Sequence, residues 1–268
     1  MNPARVSLSG LLLALFGQFQ PALADSWFAA VPPLSREERR SYAVGSSQGI
    51  CEADMFEYNP GMDALVARPI RWLRGAHGSE PIRVHVDAQR SGRGLEVGLT
   101  PEMPRRALLF LHAVPDAKWW SIADSPYGLD RGIVGLSDSA GRAEVALVEA
   151  EIRRQSLDSL AMASDLVVLA HTQPREAEPK RYRRRFQVDS VIAGQYDGRV
   201  IEIVNRMIGE LKDGRSLIFL KRGEGGDYMV TRTGASCRVV RDGVVQGFDR
   251  PLAKVIRAVQ AARQKQPS

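Results

Sequence analysis

Five short β-patterned segments occur in one order along this chain and then occur again, and that recurrence restricts the fold more than any other feature. The first set opens with Ala67–Gly75 (ARPIRWLRG), the second with Phe186–Gly194 (FQVDSVIAG), each ending in an aliphatic residue two places before a glycine. A polar stretch and an alternating strand follow, Ile82–Val86 and Ile201–Asn205; both matches are offset by 119 positions. The continuous apolar runs Ala107–Leu111 and Ser216–Leu220 come next, offset by 109. Trp119-Trp120-Ser-Ile-Ala then matches Asp227-Tyr228-Met-Val-Thr, and Asp130–Val134 matches Arg241–Val245, offset by 111. The offset changes only across Gly-, Pro- and charge-rich stretches, where insertions disturb no core.

Each set closes on a helical pattern. Residues 141–155 place Val145, Val148 and Ile152 on one face, and residues 251–264 do the same with Leu252, Val255, Ile256 and Val259. Asp249 is the expected N-cap of the second helix, with Pro251 in its first turn. Short strands separated by turn residues, with one helix per set, predict a mainly β protein with packed helices: two tandem small OB-like β-barrels. The expected boundaries are 46–155 for the first barrel and 156–268 for the second, with residues 25–45 as an extended arm bearing Pro32-Pro33 and a charged cluster.

The N-terminus predicts export. Arg5 precedes the apolar run Leu8–Phe16, and Ala22-Leu23-Ala24 puts small residues before Asp25, the three parts of a cleavable signal over residues 1–24. About 20 apolar residues are needed to cross a bilayer, so this run is too short to be an anchor, and no transmembrane segment is expected after cleavage. The expected location is periplasmic or secreted. Removing residues 1–24 takes away Arg5 and no acid, which leaves 36 basic against 31 acidic residues, a mild excess that does not imply nucleic acid. Cys51 and Cys237 are an even pair in an oxidising compartment, which points to one disulfide tying the start of the folded region to its end. Chain entropy would make such a bridge worth on the order of 5 kcal/mol at most. An intermolecular bond or two free thiols are the alternatives.

In the second set, Ser164–Ala170, Phe186–Gly194, Gly214–Leu220, Tyr228 and Gly234-Ala-Ser-Cys237 together resemble the netrin-like modules and tissue inhibitors of metalloproteinases. The resemblance covers about residues 164–262, and reaches residues 49–155 only through the repeat. It implies five-stranded OB-type barrels with a packed helix. In those inhibitors a cysteine at the mature N-terminus makes the inhibitory contact, whereas here Asp25 is the expected N-terminus and Cys51 lies well inside. The inhibitory device is therefore not carried over.

No catalytic, metal or cofactor constellation stands out. His77, His85, His112 and His171 have no zinc-motif spacing and no Cys-x-x-Cys companion. No Gly-x-Ser-x-Gly turn between strand and helix is expected, and Ser46-Ser47-Gln48-Gly49 reads as a polar linker leading to Cys51. Gly223-Glu-Gly-Gly226 reads as a hairpin turn, and its acidic residue would oppose a phosphate. Asp54, Glu57 and Asp63 cluster in sequence, without spacing that fixes a pair of catalytic carboxylates.

Two features point to binding. Lys180, Arg181, Tyr182, Arg183, Arg184 and Arg185 run into Phe186 and, in an OB-like barrel, lie between the first two strands, a region that helps bind oligonucleotides and oligosaccharides. Cations beside an aromatic suit an anionic polymer, while the plainer reading is a charged, soluble strand edge. Trp119 and Trp120 are adjacent in a strand, so one indole is expected inside and the other outside. The expectation is an exported non-enzymatic binding module whose partner is an envelope protein or anionic polymer, with no cofactor and no nucleic acid. A hydrolase with its site at the domain interface, or a protease-inhibitor-like protein, is the alternative.

Overall fold

In the computed structural model the described residues are 34–59, 64–75, 78–85, 105–114, 119–122, 132–173, 183–204 and 214–265. The chain divides after Leu34, and the unit described below is the one that runs from Ser35 to Ser268. Its described residues are mainly β, with two closed five-stranded barrels and four helices. Helix α1 (Arg36–Ser46) leads into the first barrel, made of β1 (Gly49–Asn59), β2 (Ala64–Arg74), β3 (Ile82–His85), β4 (Arg106–Ala113) and β5 (Trp120–Ile122). A short strand β6 (Ile133–Gly135) and helices α2 (Ser139–Arg154) and α3 (Leu157–Ala163) follow. The second barrel is β7 (Leu166–Thr172), β8 (Arg183–Ala193), β9 (Val200–Val204), β10 (Arg215–Arg222) and β11 (Tyr228–Val230). Strands β12 (Cys237–Arg241), β13 (Val244–Val245) and β14 (Arg250–Pro251) lead into helix α4 (Leu252–Gln264).

Both barrels close in the same way. The first runs β1-β2-β3-β5-β4 and returns to β1; the second runs β7-β8-β9-β11-β10 and returns to β7. All pairs around each barrel are antiparallel except β3–β5 and β9–β11, which are parallel. The registers correspond too. Ala67 faces Ile82 and Phe186 faces Ile201; Val84 faces Trp120 and Ile203 faces Tyr228. Cys51 stands between Trp72 and Leu109, as Val168 stands between Val191 and Ile218. One expected match is displaced. The partner of β6 in the second barrel is β12, not residues 241–245, because Ile133 pairs with Leu109 as Cys237 pairs with Ile218. Gly132 and Gly243 both take left-handed backbone conformations, and this shared glycine feature makes the segments around them look alike in sequence.

Continuous apolar strands are explained by burial on both faces. In β4, Ala107, Leu109 and Leu111 fill the barrel, while Leu108 and Phe110 point outward beneath α1 and α2. In β10, Ile218 and Leu220 fill the barrel, while Leu217 and Phe219 point outward beneath α3 and α4. Each barrel thus has an interior core and an outer core under its helices, and among the described residues no helix covers its remaining side.

Three expectations need correction. Residues 36–46 form helix α1 rather than an extended arm. Its start is a capping box, with Ser35 Oγ accepting from Glu38 N at 3.2 Å and Glu38 Oε2 accepting from Ser35 N at 2.8 Å. Asp249 does not cap α4. It takes a left-handed backbone conformation, and Pro251 is the residue at the cap. The thiols of Cys51 and Cys237 are not bonded to each other: each packs within the interior of its own barrel.

The two barrels meet around α1. Gly45 and Gly234 approach so closely that a Cβ on Gly45 would collide with the Gly234 carbonyl, and one on Gly234 would lie 2.8 Å from Tyr42 Cα. The last carbonyls of α1 accept from two arginines of opposite barrels. Arg74 Nη1 donates to Val44 O and, at 3.4 Å, to Ser47 O; Arg238 Nη1 donates to Gly45 O at 3.3 Å. Cations suit this negative end of a helix dipole. Burial, followed by repulsion from Arg238, pulls the Arg74 guanidinium down to about 10. Beside them Ser41 Oγ lies 2.8 Å from Glu151 Oε1 and 2.9 Å from Thr233 O, and Gln155 Nε2 donates to Ser41 O at 2.8 Å.

Candidate binding surface

Among the described residues, the side of the first barrel that no helix covers is carried by β3, β5 and the ends of β1 and β2 away from Ile50 and Leu73. Its makeup follows from a bulge. Along β1, Cys51, Ala53 and Met55 face inward, but the register breaks between Met55 and Glu57 and leaves Phe56 unpaired. Alternation from Cys51 directs Phe56 outward, the bulge leaves it without a partner on β2, and its side chain is 56% exposed. The Arg68 guanidinium stacks over its ring, 4.8 Å from the centroid. On the neighbouring strands Val66 faces Arg83 and Val84 faces Trp120, so Arg83 and His85 alternate outward around the buried Val84. Trp119, immediately before β5, is 47% exposed and meets His85 edge to face, with centroids 6.5 Å apart. A row from Phe56 through Arg68, Arg83 and His85 to Trp119 therefore crosses four adjacent strands. Asp54 lies opposite Arg68 in register and adds one acidic group at its edge.

The two indoles behave as the strand alternation requires. Trp120 turns inward against Trp72, with centroids 5.8 Å apart, and both rings pack over Gly49, where an added Cβ would come within 3.1 Å of each. Trp119 is the outward member.

The same side of the second barrel is occupied by its own counter-charges. Arg183 Nη1 bonds Glu202 Oε1 at 2.7 Å, and its Nη2 lies 3.3 Å from Asp227 Oδ2. Arg185 Nε reaches the other oxygen of Glu202 at 3.3 Å. The hydrogen bond from Arg183 comes first among the causes that hold the Glu202 carboxyl below its ordinary range, with Arg185 adding to it against some desolvation. Arg184 points away from this network, its guanidinium 6.0 Å from the Phe186 ring centroid. Arg222 lies over Tyr228, 5.6 Å from the ring centroid, and donates to its hydroxyl at 3.3 Å. Lys180, Arg181 and Tyr182 lie outside the described residues.

The remaining candidates are structural. His171 Nδ1 lies 2.8 Å from Asp189 Oδ1 while Arg215 Nε donates to Asp189 Oδ2 at 2.9 Å, a charge cluster on the exterior of the second barrel. Residues 45–49 have the spacing of a serine-nucleophile turn, but they run from helix into strand, the reverse of that motif. Ser47 Oγ is buried and donates to Ala43 O at 2.7 Å. Burial, with Glu52 adding to it, pushes the Cys51 thiol up to about 12, which keeps it unreactive. Among the described residues no group of three or more His, Cys, Asp and Glu side chains is placed to hold a metal ion. No described helix is long and apolar enough to cross a membrane.

The sequence names Trp119 and Trp120 without choosing between them and reads the arginine run as a loop, whereas Arg183–Arg185 lie in β8; it does not single out Phe56, Arg68 or Arg83. The only sequence trace of Phe56 is an aromatic at a position that simple alternation from Cys51 also directs outward; nothing signals the bulge or the arginine stacked on it. No family model matches the chain, and no curated protein matches it in sequence.

Proposed function

We propose that this chain is an exported, non-enzymatic binding module: two OB-like barrels, diverged copies of one unit, joined around α1. The open side of the first barrel takes the ligand. The observation that carries this reading is the row of Phe56, Arg68, Arg83, His85 and Trp119 on the side its helices leave bare. Strands 2 and 3 of an OB-type barrel are a common binding face, and exposed aromatics beside arginines are the residue types that anchor interfaces. Export rests on residues 1–24 and places the partner, an envelope protein or anionic polymer, outside the cytoplasm. The netrin-like resemblance enters this proposal for architecture alone.

The test is affinity capture from native envelope extract. The full protein and a Phe56→Ala/Trp119→Ala variant serve as baits, each checked for an unchanged melting transition. A partner held by the native bait and lost by the variant supports the reading. Identical recovery by both baits would contradict it.

A further inference from the structure

We infer that the open side of the first barrel takes a carboxylated oligosaccharide, laid across β1, β2, β3 and β5 as a short run of acidic sugar rings. This rests on the binding reading above and names the ligand class for it.

Two aromatic platforms stand at the ends of the row, Phe56 on β1 and Trp119 beside β5, with Arg68, Arg83 and His85 between or against them. Three strand spacings separate β1 from β5, a span of about 14 Å, enough for a few sugar rings. A pyranose offers an apolar C–H face to an aromatic ring and a rim of hydroxyls to neighbouring donors. A ring carboxylate adds an acceptor that matches the guanidinium fork.

Charge density separates this ligand from nucleic acid. Nucleic-acid affinity grows with each phosphate that a protein's cations neutralise, whereas this row holds two arginines and one imidazole, with the acidic Asp54 opposite Arg68. A chain with few, spaced carboxylates fits that supply of cations. A purely apolar partner fits poorly, because a polar side chain stands against each aromatic, Arg68 over Phe56 and His85 beside Trp119.

The experiment is isothermal titration of the full protein with trigalacturonate, its fully methyl-esterified form and a thymidine decamer. The ester keeps the stacking faces and removes the charge. Trigalacturonate is expected to bind about tenfold or more tightly than the ester, and binding should weaken with added salt. Trp119→Ala should weaken it by roughly 5- to 150-fold, the range for loss of one stacked ring. Arg83→Gln should weaken it severalfold, and Arg185→Gln on the second barrel should leave it unchanged. Equal affinity for the ester, tighter binding of the decamer, or no effect of Trp119→Ala would each overturn the inference. If trigalacturonate does not bind while Phe56→Ala/Trp119→Ala still loses its captured partner, the ligand class falls and the binding reading stands. If neither the ligand nor the captured partner depends on this row, both fall.

Discussion

The two barrels share strand order, pairing directions and most registers, yet they present opposite surfaces on the same side. On the first, Phe56 and Trp119 are exposed, Phe56 against Arg68 and Trp119 against His85. On the second, Arg183 and Arg185 are taken up by Glu202 and Asp227. The difference shows how little of a surface is set by topology. The parts the two barrels have in common are those buried twice over, the interiors and the layers under the helices. The open sides can differ, because an exposed substitution costs the fold little.

The deepest prediction tests whether the two units are built alike. Phe110 and Phe219 occupy corresponding positions, each fully buried under its own helices. Phe110→Ala and Phe219→Ala should each lower unfolding stability by about 3–5 kcal/mol in denaturant titration. A large cost in one and a negligible cost in the other would break the correspondence. At the seam, Gly45→Ala should cost about 3 kcal/mol or more, since the added methyl meets backbone that cannot retreat without separating the barrels.

Interior chemistry separates the barrels by pH. Cys51 fills the place that Val168 fills in the second barrel, and its thiol rises from an ordinary value of 9.0 to about 12. Between those values the unfolded chain holds fewer protons than the folded one, so stability falls as pH rises through that window. The ceiling on this loss is about 4 kcal/mol. Arg74 acts in the opposite sense, but only as pH passes about 10. Denaturation between pH 8 and 10 should therefore show a decline that Cys51→Val removes; a decline of the same slope in the variant would count against this origin. The same thiols should both alkylate under denaturing, non-reducing conditions, and an intact disulfide there would contradict the structure.

The smallest expected effect lies on the second barrel. Asp227→Asn should change stability by less than about 1 kcal/mol, as exposed ion pairs do. It should also raise retention on an anionic resin by freeing one arm of Arg183. No gain in retention would mean that Glu202 alone masks the strand.

The sequence carried the strand order because two-sided burial leaves continuous apolar runs such as Leu108–Leu111 and Leu217–Leu220, and these are hard to mistake. It carried α2 and α4 through periodic apolar faces. It hid α1, although the Ser35–Glu38 capping box was present, because Pro32-Pro33 and the charges nearby read as an arm. The open site was half legible: adjacent tryptophans must face opposite ways, which marks one as exposed. A bulge at Phe56 and the stacking of Arg68 depend on pairing across strands, which no local pattern encodes. The arginine run was legible as charge. Its neutralisation was not, because Glu202 and Asp227 lie 17 or more positions away from the residues they pair with.

The most direct measurement is hydrogen exchange by mass spectrometry on the full protein with and without trigalacturonate. Slowed exchange is predicted in peptides covering residues 54–72, 82–85 and 119–122, with residues 183–204 unchanged. Protection confined to the second barrel would contradict the account, and so would protection in neither.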